Sequence, residues 1–251
     1  MPLLSLENIS LNYHSKSGEI CVLRNINIQI EEGEFVSILG PSGCGKSTLL
    51  NIVNGLLSPS SGKISFNNEA LSFNKEKMGY MFQSDHLFPW ISVWDNVILP
   101  LKIKHKVNKT TLDRADKLLS SYGLGEFRNR HPGELSGGMR QRVALIRTLT
   151  LEPELLLLDE PFSALDYQTR LKLCDEVYEI IKNERKTVIM VTHDISEAIS
   201  MSERILILSN RPASVKKEVV LNFSSKADTP FKRREEENFR RYFNEIWREL
   251  L

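Results

Sequence analysis

Residues 40–48 read Gly-Pro-Ser-Gly-Cys-Gly-Lys-Ser-Thr, and no other stretch constrains the fold of this chain as tightly. The spacing satisfies G-x-x-x-x-G-K-[ST]. It lies between a compact apolar run, Phe35 to Leu39, and a segment carrying Leu49, Leu50, Ile52, Val53 and Leu56 at helical spacing. A strand that turns through glycines into a helix directs backbone N–H groups at an anion, and the helix N-terminus adds a favourable dipole. In such a loop Gly40, Pro41, Ser42, Gly43, Cys44, Gly45 and Thr48 form the cradle, Lys46 reaches the β- and γ-phosphates, and Ser47 offers an oxygen to Mg²⁺. The chain is therefore expected to bind a nucleoside triphosphate.

The same strand, loop and helix grammar recurs twice. The all-leucine run 155–158 ends in Asp159 and Glu160, and the apolar run 188–191 ends in Thr192, His193 and Asp194. Continuous apolar runs separated by helix-patterned stretches such as Leu171, Cys174, Val177 and Ile181 predict parallel strands covered on both faces. Residues 3–39 instead alternate apolar and polar positions, the period of an antiparallel edge region. From about residue 83 to 152 the strand signal weakens. There Leu112, Ala115, Leu118, Leu119 and Tyr122 predict an amphipathic helix, with Thr110 and Asp113 as its capping pair. After a further strand candidate at 204–209, Phe239, Tyr242, Phe243, Ile246 and Leu250 predict a terminal helix. The expected organisation is one domain over residues 1–251, α/β in class. Its core comes from 1–82 and 153–222, a helical insertion from 83–152, and a helical tail from 223–251.

Composition excludes several classes. With Lys+Arg 33 against Asp+Glu 32, no basic excess draws the surface to nucleic acid or anionic lipid. Three cysteines, Cys21, Cys44 and Cys174, are too few and too scattered for a disulfide framework or a zinc site. No run reaches the ~18 apolar residues of a membrane span, so the chain is expected in the cytoplasm, with any membrane role peripheral. At the mouth of a buried strand Asp159 suits the shell of Mg²⁺, and Glu160 is placed to orient or deprotonate a water. Residues 135–141, Leu-Ser-Gly-Gly-Met-Arg-Gln, open a helix with serine and glycine. On residue chemistry alone this is either a second anion site or an ordinary N-capped turn.

Taken in order, the phosphate loop, Ser136-Gly137-Gly138-Met139-Arg140-Gln141, Leu158-Asp159-Glu160-Pro161, Ser163-Ala164-Leu165-Asp166 and Thr192-His193-Asp194 resemble the ATP-binding cassette of ABC transporters. The resemblance implies a P-loop NTPase fold with a mostly parallel core sheet, an antiparallel β region and a helical insertion. It also implies ATP and Mg²⁺ as ligands. By the same resemblance Lys46, Gln83, Glu160 and His193 serve catalysis, Ser47, Gln83 and Asp159 serve the metal, and Tyr13 stacks on adenine. Two copies would pair head to tail. Ser136, Gly137 and Gly138 of one would then face the γ-phosphate held by Lys46 of the other, and Asp166 would lie in the loop crossing the interface. Such a dimer sits under permease subunits on the inner face of the membrane, served by an extracytoplasmic solute-binding protein.

The segment from Gln83 through Phe88, Trp90 and Trp94 to Val97, the Asn210-Arg211-Pro212-Ala213 stretch and the tail around Arg241 to Trp247 are similar to importer cassettes for nitrate, sulfonate and taurine. Asn210, where that group usually has glycine, and Ile146, where alanine is more usual, depart from its pattern. The apolar cluster Leu87, Phe88, Pro89 and Trp90 is compatible both with core packing and with a groove for a membrane-subunit helix. Two other functions stay open at this point: a soluble cassette ATPase acting on nucleic acid or the ribosome, and a non-hydrolysing nucleotide sensor. Long coiled-coil heptads and a second motif set would favour the first, and a missing Glu160 or His193 the second. The chain has neither signature.

Overall fold

The computed structural model describes residues 1–15, 18–71 and 74–251. Two sheets organise them. The first is antiparallel and four-stranded, built from β1 (Leu4–Ser15), β2 (Gly18–Ile30), β4 (Ser61–Phe66) and β5 (Glu69–Ala70) in the order β2-β1-β4-β5. Its register sets Leu4 opposite Ile30 and Leu6 opposite Ile28, so the alternating apolar positions fall on one buried face.

The second sheet contains β3 (Phe35–Leu39), β6 (Met78–Met81), β7 (Leu155–Asp159), β8 (Thr187–Val191), β9 (Arg204–Leu208) and β10 (Val215–Val220). Its order is β10-β9-β3-β8-β7-β6. The five strands from β9 to β6 are parallel, and β10 closes the edge in the antiparallel sense. The leucines of β7 show why continuous apolar runs are needed. Leu155 and Leu157 enter the core beneath α1 (Lys46–Val53) and the antiparallel sheet. Leu156 and Leu158 enter the opposite core. That core is shared with α2 (Val93–Ile103), α3 (Lys109–Ser121), α4 (Gly137–Leu149) and α5 (Tyr167–Asn183). All four leucines are fully buried, each contributing ~1.5–3 kcal/mol of transfer free energy. A third cluster joins Leu39, Ile205 and Ile207 to α6 (Ile195–Met201) and to Tyr242 and Ile246 of the terminal helix α8 (Glu237–Leu250). The short α7 (Pro230–Glu235) precedes α8.

The helix expected around Leu112 forms, but its cap differs from the expected Thr110 and Asp113. Asn108 is the N-cap: its side chain accepts from Thr111 N at 3.0 Å while the Thr111 hydroxyl accepts from Asn108 N at 3.0 Å. A capping residue must stand outside the helix in extended backbone, which Asn108 does at φ −150°, ψ 174°. Thr110 and Asp113 fall within the helix.

Because β9, β3, β8, β7 and β6 run the same way, the loops at their C-terminal ends gather along one edge. In sheet order these loops carry Arg211, the phosphate loop, His193, Asp159 with Glu160, and Gln83.

Candidate functional site

The phosphate loop leaves β3 at Gly40 and enters α1 through Gly45 at φ 126° and ψ 15°, backbone that a side chain would strain. Space forbids one too: a Cβ on Gly45 would lie 2.9 Å from Leu23 Cδ2 and 3.1 Å from Val22 Cγ1. The loop is thus pressed against β2. Lys46 is buried and donates from Nζ to the carbonyls of Gly40 (2.8 Å) and Pro41 (3.0 Å), which holds its cation within the curl of the loop.

Beside it, Ser47 donates to Asp159 Oδ1 at 3.0 Å, and Tyr80 of β6 donates to Asp159 Oδ2 at 3.0 Å. Burial pushes the Asp159 carboxyl above the ordinary aspartate range, against the opposing pull of these two hydrogen bonds. Tyr80 is itself pushed upward, by burial first and by the neighbouring Asp159 charge second. Both shifts have the same first cause, the partial burial of Asp159 and Tyr80 at the C-terminal ends of β7 and β6.

Glu160 follows at φ 47°, left-handed backbone that a non-glycine residue adopts at a cost and that turns its side chain back over the strand ends. Its amide donates to Val191 O at 2.8 Å, fixing the turn to β8. Oε2 of Glu160 meets Gln83 Nε2 at 3.3 Å and His193 Nδ1 at 3.1 Å, and the same Gln83 amide donates to Ser163 Oγ at 3.1 Å. Side chains from two other loops therefore converge on the Glu160 carboxylate. Ser42, Gly43, Gly45, Lys46, Ser47, Thr48, Glu160, His193 and Arg211 line a common cleft of about 520 Å³. Its cationic loop at one side and the Glu160 carboxylate at the other can hold a polyphosphate and activate a water.

Other expected site residues lie elsewhere. Ser136 is the N-cap of α4, accepting from Met139 N at 3.3 Å, and neither it nor Gly137 nor Gly138 lines the cleft. A Cβ on Gly137 would approach Leu165 Cδ2 to 2.9 Å, so glycine there lets the start of α4 meet the loop at 163–166. Asp166 caps α5 through Oδ1, which accepts from Thr169 N at 3.0 Å. Tyr13 stands opposite Ile20 in the antiparallel sheet, 43% exposed and outside the cleft lining. The apolar cluster after Gln83 divides: Leu87 is buried in the core, whereas Phe88 and Trp90 are exposed at 39% and 71%.

Several participants escape a reading of spacing. Tyr80 reaches Asp159 only because β6 pairs with β7, setting Tyr80 opposite Leu157. Asp85 accepts from Arg140 Nε at 3.0 Å, and Arg147 donates to the Asp85 and His86 carbonyls at 2.7 and 2.8 Å, so α4 grips the segment that follows Gln83. Behind His193, the buried Glu197 carboxyl accepts from Thr192 Oγ1 at 2.7 Å and lies 3.6 Å from Arg170 Nε. Arg170 also donates to Leu165 O (2.9 Å) and Asp194 Oδ2 (3.3 Å), linking the loop of Asp166 to that of His193. Burial raises Glu197 to about 7. Arg170 stands one helical turn beyond Asp166, a spacing that offered the one available hint.

Comparison with known proteins bears on this arrangement. The family model described as ABC transporter matches residues 23–163. The chain is 44% identical over 250 residues to an uncharacterized ABC transporter ATP-binding protein of Bacillus subtilis (strain 168), covering 100% of this chain and 96% of that one. It is 38% identical over 247 residues to the nitrate import ATP-binding protein of Synechocystis sp., covering 97% and 93%. Further relatives are named as aliphatic sulfonates and taurine import ATP-binding proteins. Among solved structures, the dimeric bacterial ABC transporter cassette MJ0796 superposes with a TM-score of 0.75 at 36% identity, over 88% of this chain and 100% of that chain.

Proposed function

Since the chain belongs to the ABC transporter family and is an ATP-binding ATPase of it, we propose that it powers import of a small anionic or zwitterionic nutrient of the nitrate, sulfonate or taurine kind. The observation that carries the ATPase part of this reading is the convergence of Gln83, Glu160 and His193 beside the Lys46 loop; the nutrient class is supported by the relatives named for nitrate, aliphatic sulfonates and taurine import. Two copies pair head to tail, each closing its Ser136 to Gly138 segment over the nucleotide held by the other, with Asp166 at the crossing. ATP favours the closed pair because contacts to the γ-phosphate bridge both copies, and hydrolysis removes them. Residues 1–82 and 153–222 act as the nucleotide-binding core, 83–152 as the helical part that conveys its state, and 223–251 as the tail.

Glu160 accepts a proton from a water as its oxygen attacks the γ-phosphorus; the bond to the ADP oxygen breaks, and Lys46 and the partner's Ser136 stabilise the charge that spreads over the phosphoryl oxygens. Gln83 and His193 hold Glu160 Oε2 toward that water. Ser47 Oγ and Asp159 Oδ1, hard oxygens 3.0 Å apart with the second carboxylate oxygen pinned by Tyr80, fit Mg²⁺. When bound it would neutralise phosphate charge. Tyr13 is assigned to the adenine face as a stacking residue.

Among the described residues no helix is long and apolar enough to cross a membrane, and the chain is assigned to the cytoplasmic face of permease subunits. A groove of about 330 Å³ supports that contact. It is lined by Tyr80, Phe82, Phe88, Ile103 and Arg147 among others, and Phe82 and Ile103 are 45% and 67% exposed. A short helix of the permease seats there, below an extracytoplasmic solute-binding protein. ATPase activity of the purified chain, alone and with its detergent-solubilised permease, tests the reading. Stimulation by the permease supports it; stimulation by DNA or RNA, or no turnover in any condition, overturns it.

A further inference from the structure

Five parallel strands deliver five loops to the nucleotide edge, and the cassette motifs occupy four of them. The fifth, after β9, carries Arg211 of the importer-like 210–213 stretch, and Arg211 lines the cleft with Lys46 and Ser47. The loop is held firmly. Ser209 and Ser214 close it with backbone and hydroxyl bonds at 2.9 Å, and Ala213 donates to Val22 O and accepts from Arg24 N, both at 2.8 Å. Val22 and Leu23 are also the residues against which Gly45 packs, so one strand fixes both the phosphate loop and the Arg211 loop.

The two cations of the cleft are unequally engaged. Lys46 is buried with two carbonyl partners, while exposed Arg211 donates Nη2 to Gly43 O and has other guanidinium N–H groups to offer. A guanidinium presents five donors in a planar fork suited to phosphate oxygens. Glu160 brings negative charge to the same cleft, which a polyphosphate must overcome. We propose that Arg211 is a nucleotide-binding residue whose guanidinium grips the polyphosphate from the rim of the phosphate loop, making affinity depend on phosphate charge rather than on adenosine alone. This inference rests on the cassette reading above.

The test measures binding of ATP, ADP and adenosine by calorimetry or by displacement of a fluorescent ATP analogue, in wild type, Arg211→Ala, Arg211→Gln and Arg211→Lys. Loss of a charge-assisted contact predicts ATP and ADP affinities about ten-fold weaker in the Ala and Gln variants, with adenosine changed by less than about two-fold and Lys recovering most of the loss. Gln can still donate to the Gly43 carbonyl. Wild-type affinity in Gln would therefore reduce Arg211 to a brace of the loop and overturn the proposal, as would wild-type affinity in Ala. An equal loss for adenosine would point to a collapsed loop and overturn it too. If wild type itself bound no ATP, the cassette reading would fail first; wild-type binding with unaltered variants would sink this inference alone.

Discussion

Replacing Glu197 by glutamine should make the protein's stability less sensitive to alkali. The carboxyl is 3% exposed behind His193, and burial lifts it from the ordinary glutamate value of 4.5 to about 7, against the lowering influence of Thr192 and Arg170. An acid whose pKa is raised on folding binds more protons in the native state. Its contribution is intact below 4.5 and is lost as pH rises through about 7. The shift of about 2.5 units corresponds to ~3.4 kcal/mol in total, of which ~2.5 kcal/mol falls between about pH 5 and pH 8. Glutamine keeps an oxygen for the Thr192 hydroxyl and has no charge to bury. Thermal midpoints of both proteins at the two pH values provide the assay. For a chain of this length ~2.5 kcal/mol corresponds to ~5–10 °C, so wild type should lose that much more than the glutamine variant on going to high pH. Equal losses would refute the reasoning. A wild type that gained on the variant would show that pairing with Arg170 outweighs desolvation.

Three further outcomes follow from the site and core. Glu160→Gln should retain ATP affinity within a few-fold while turnover falls ~100-fold or more, measured by phosphate release; near-normal turnover would remove Glu160 as the base. Ser136→Arg should bind ATP as a monomer in sizing experiments, and mixing it with Lys46→Ala should restore one intact composite site and hence an ATP-dependent dimer; no recovery on mixing would contradict the trans arrangement. Leu157→Ala, emptying a fully buried position of β7, should cost ~2–5 kcal/mol in denaturant unfolding, and a loss well below that would mean the central strand is less tightly packed than its burial indicates.

What could be read from the chain beforehand was what is local in it. The phosphate loop needs a strand, glycines and a helix within nineteen consecutive positions, 35–53, so its conformation is written in neighbouring residues. Asp159 and Glu160 were legible because the leucine run that carries them admits a strand buried on both faces. The cap of α3 was misplaced by two residues, since Asn108, Thr110 and Thr111 are all competent cap chemistry and only backbone outside the helix decides among them. Contacts between distant segments left little local trace, the one-turn spacing of Asp166 and Arg170 apart. Tyr80 meets Asp159 through strand pairing, Arg170 meets Glu197 through packing of α5 near α6, and Arg211 reaches Gly43 because residues 209–214 lie along β2. The strand order that gathers them is a property of the folded sheet.

The central claim is that the terminal phosphate of ATP joins two copies of this chain. Light scattering of the Glu160→Gln protein with Mg²⁺ and either ATP or ADP addresses it most directly: the account predicts twice the 28.8 kDa chain mass with ATP and the single mass with ADP. A single mass at saturating ATP, or the same doubled mass with both nucleotides, would contradict it.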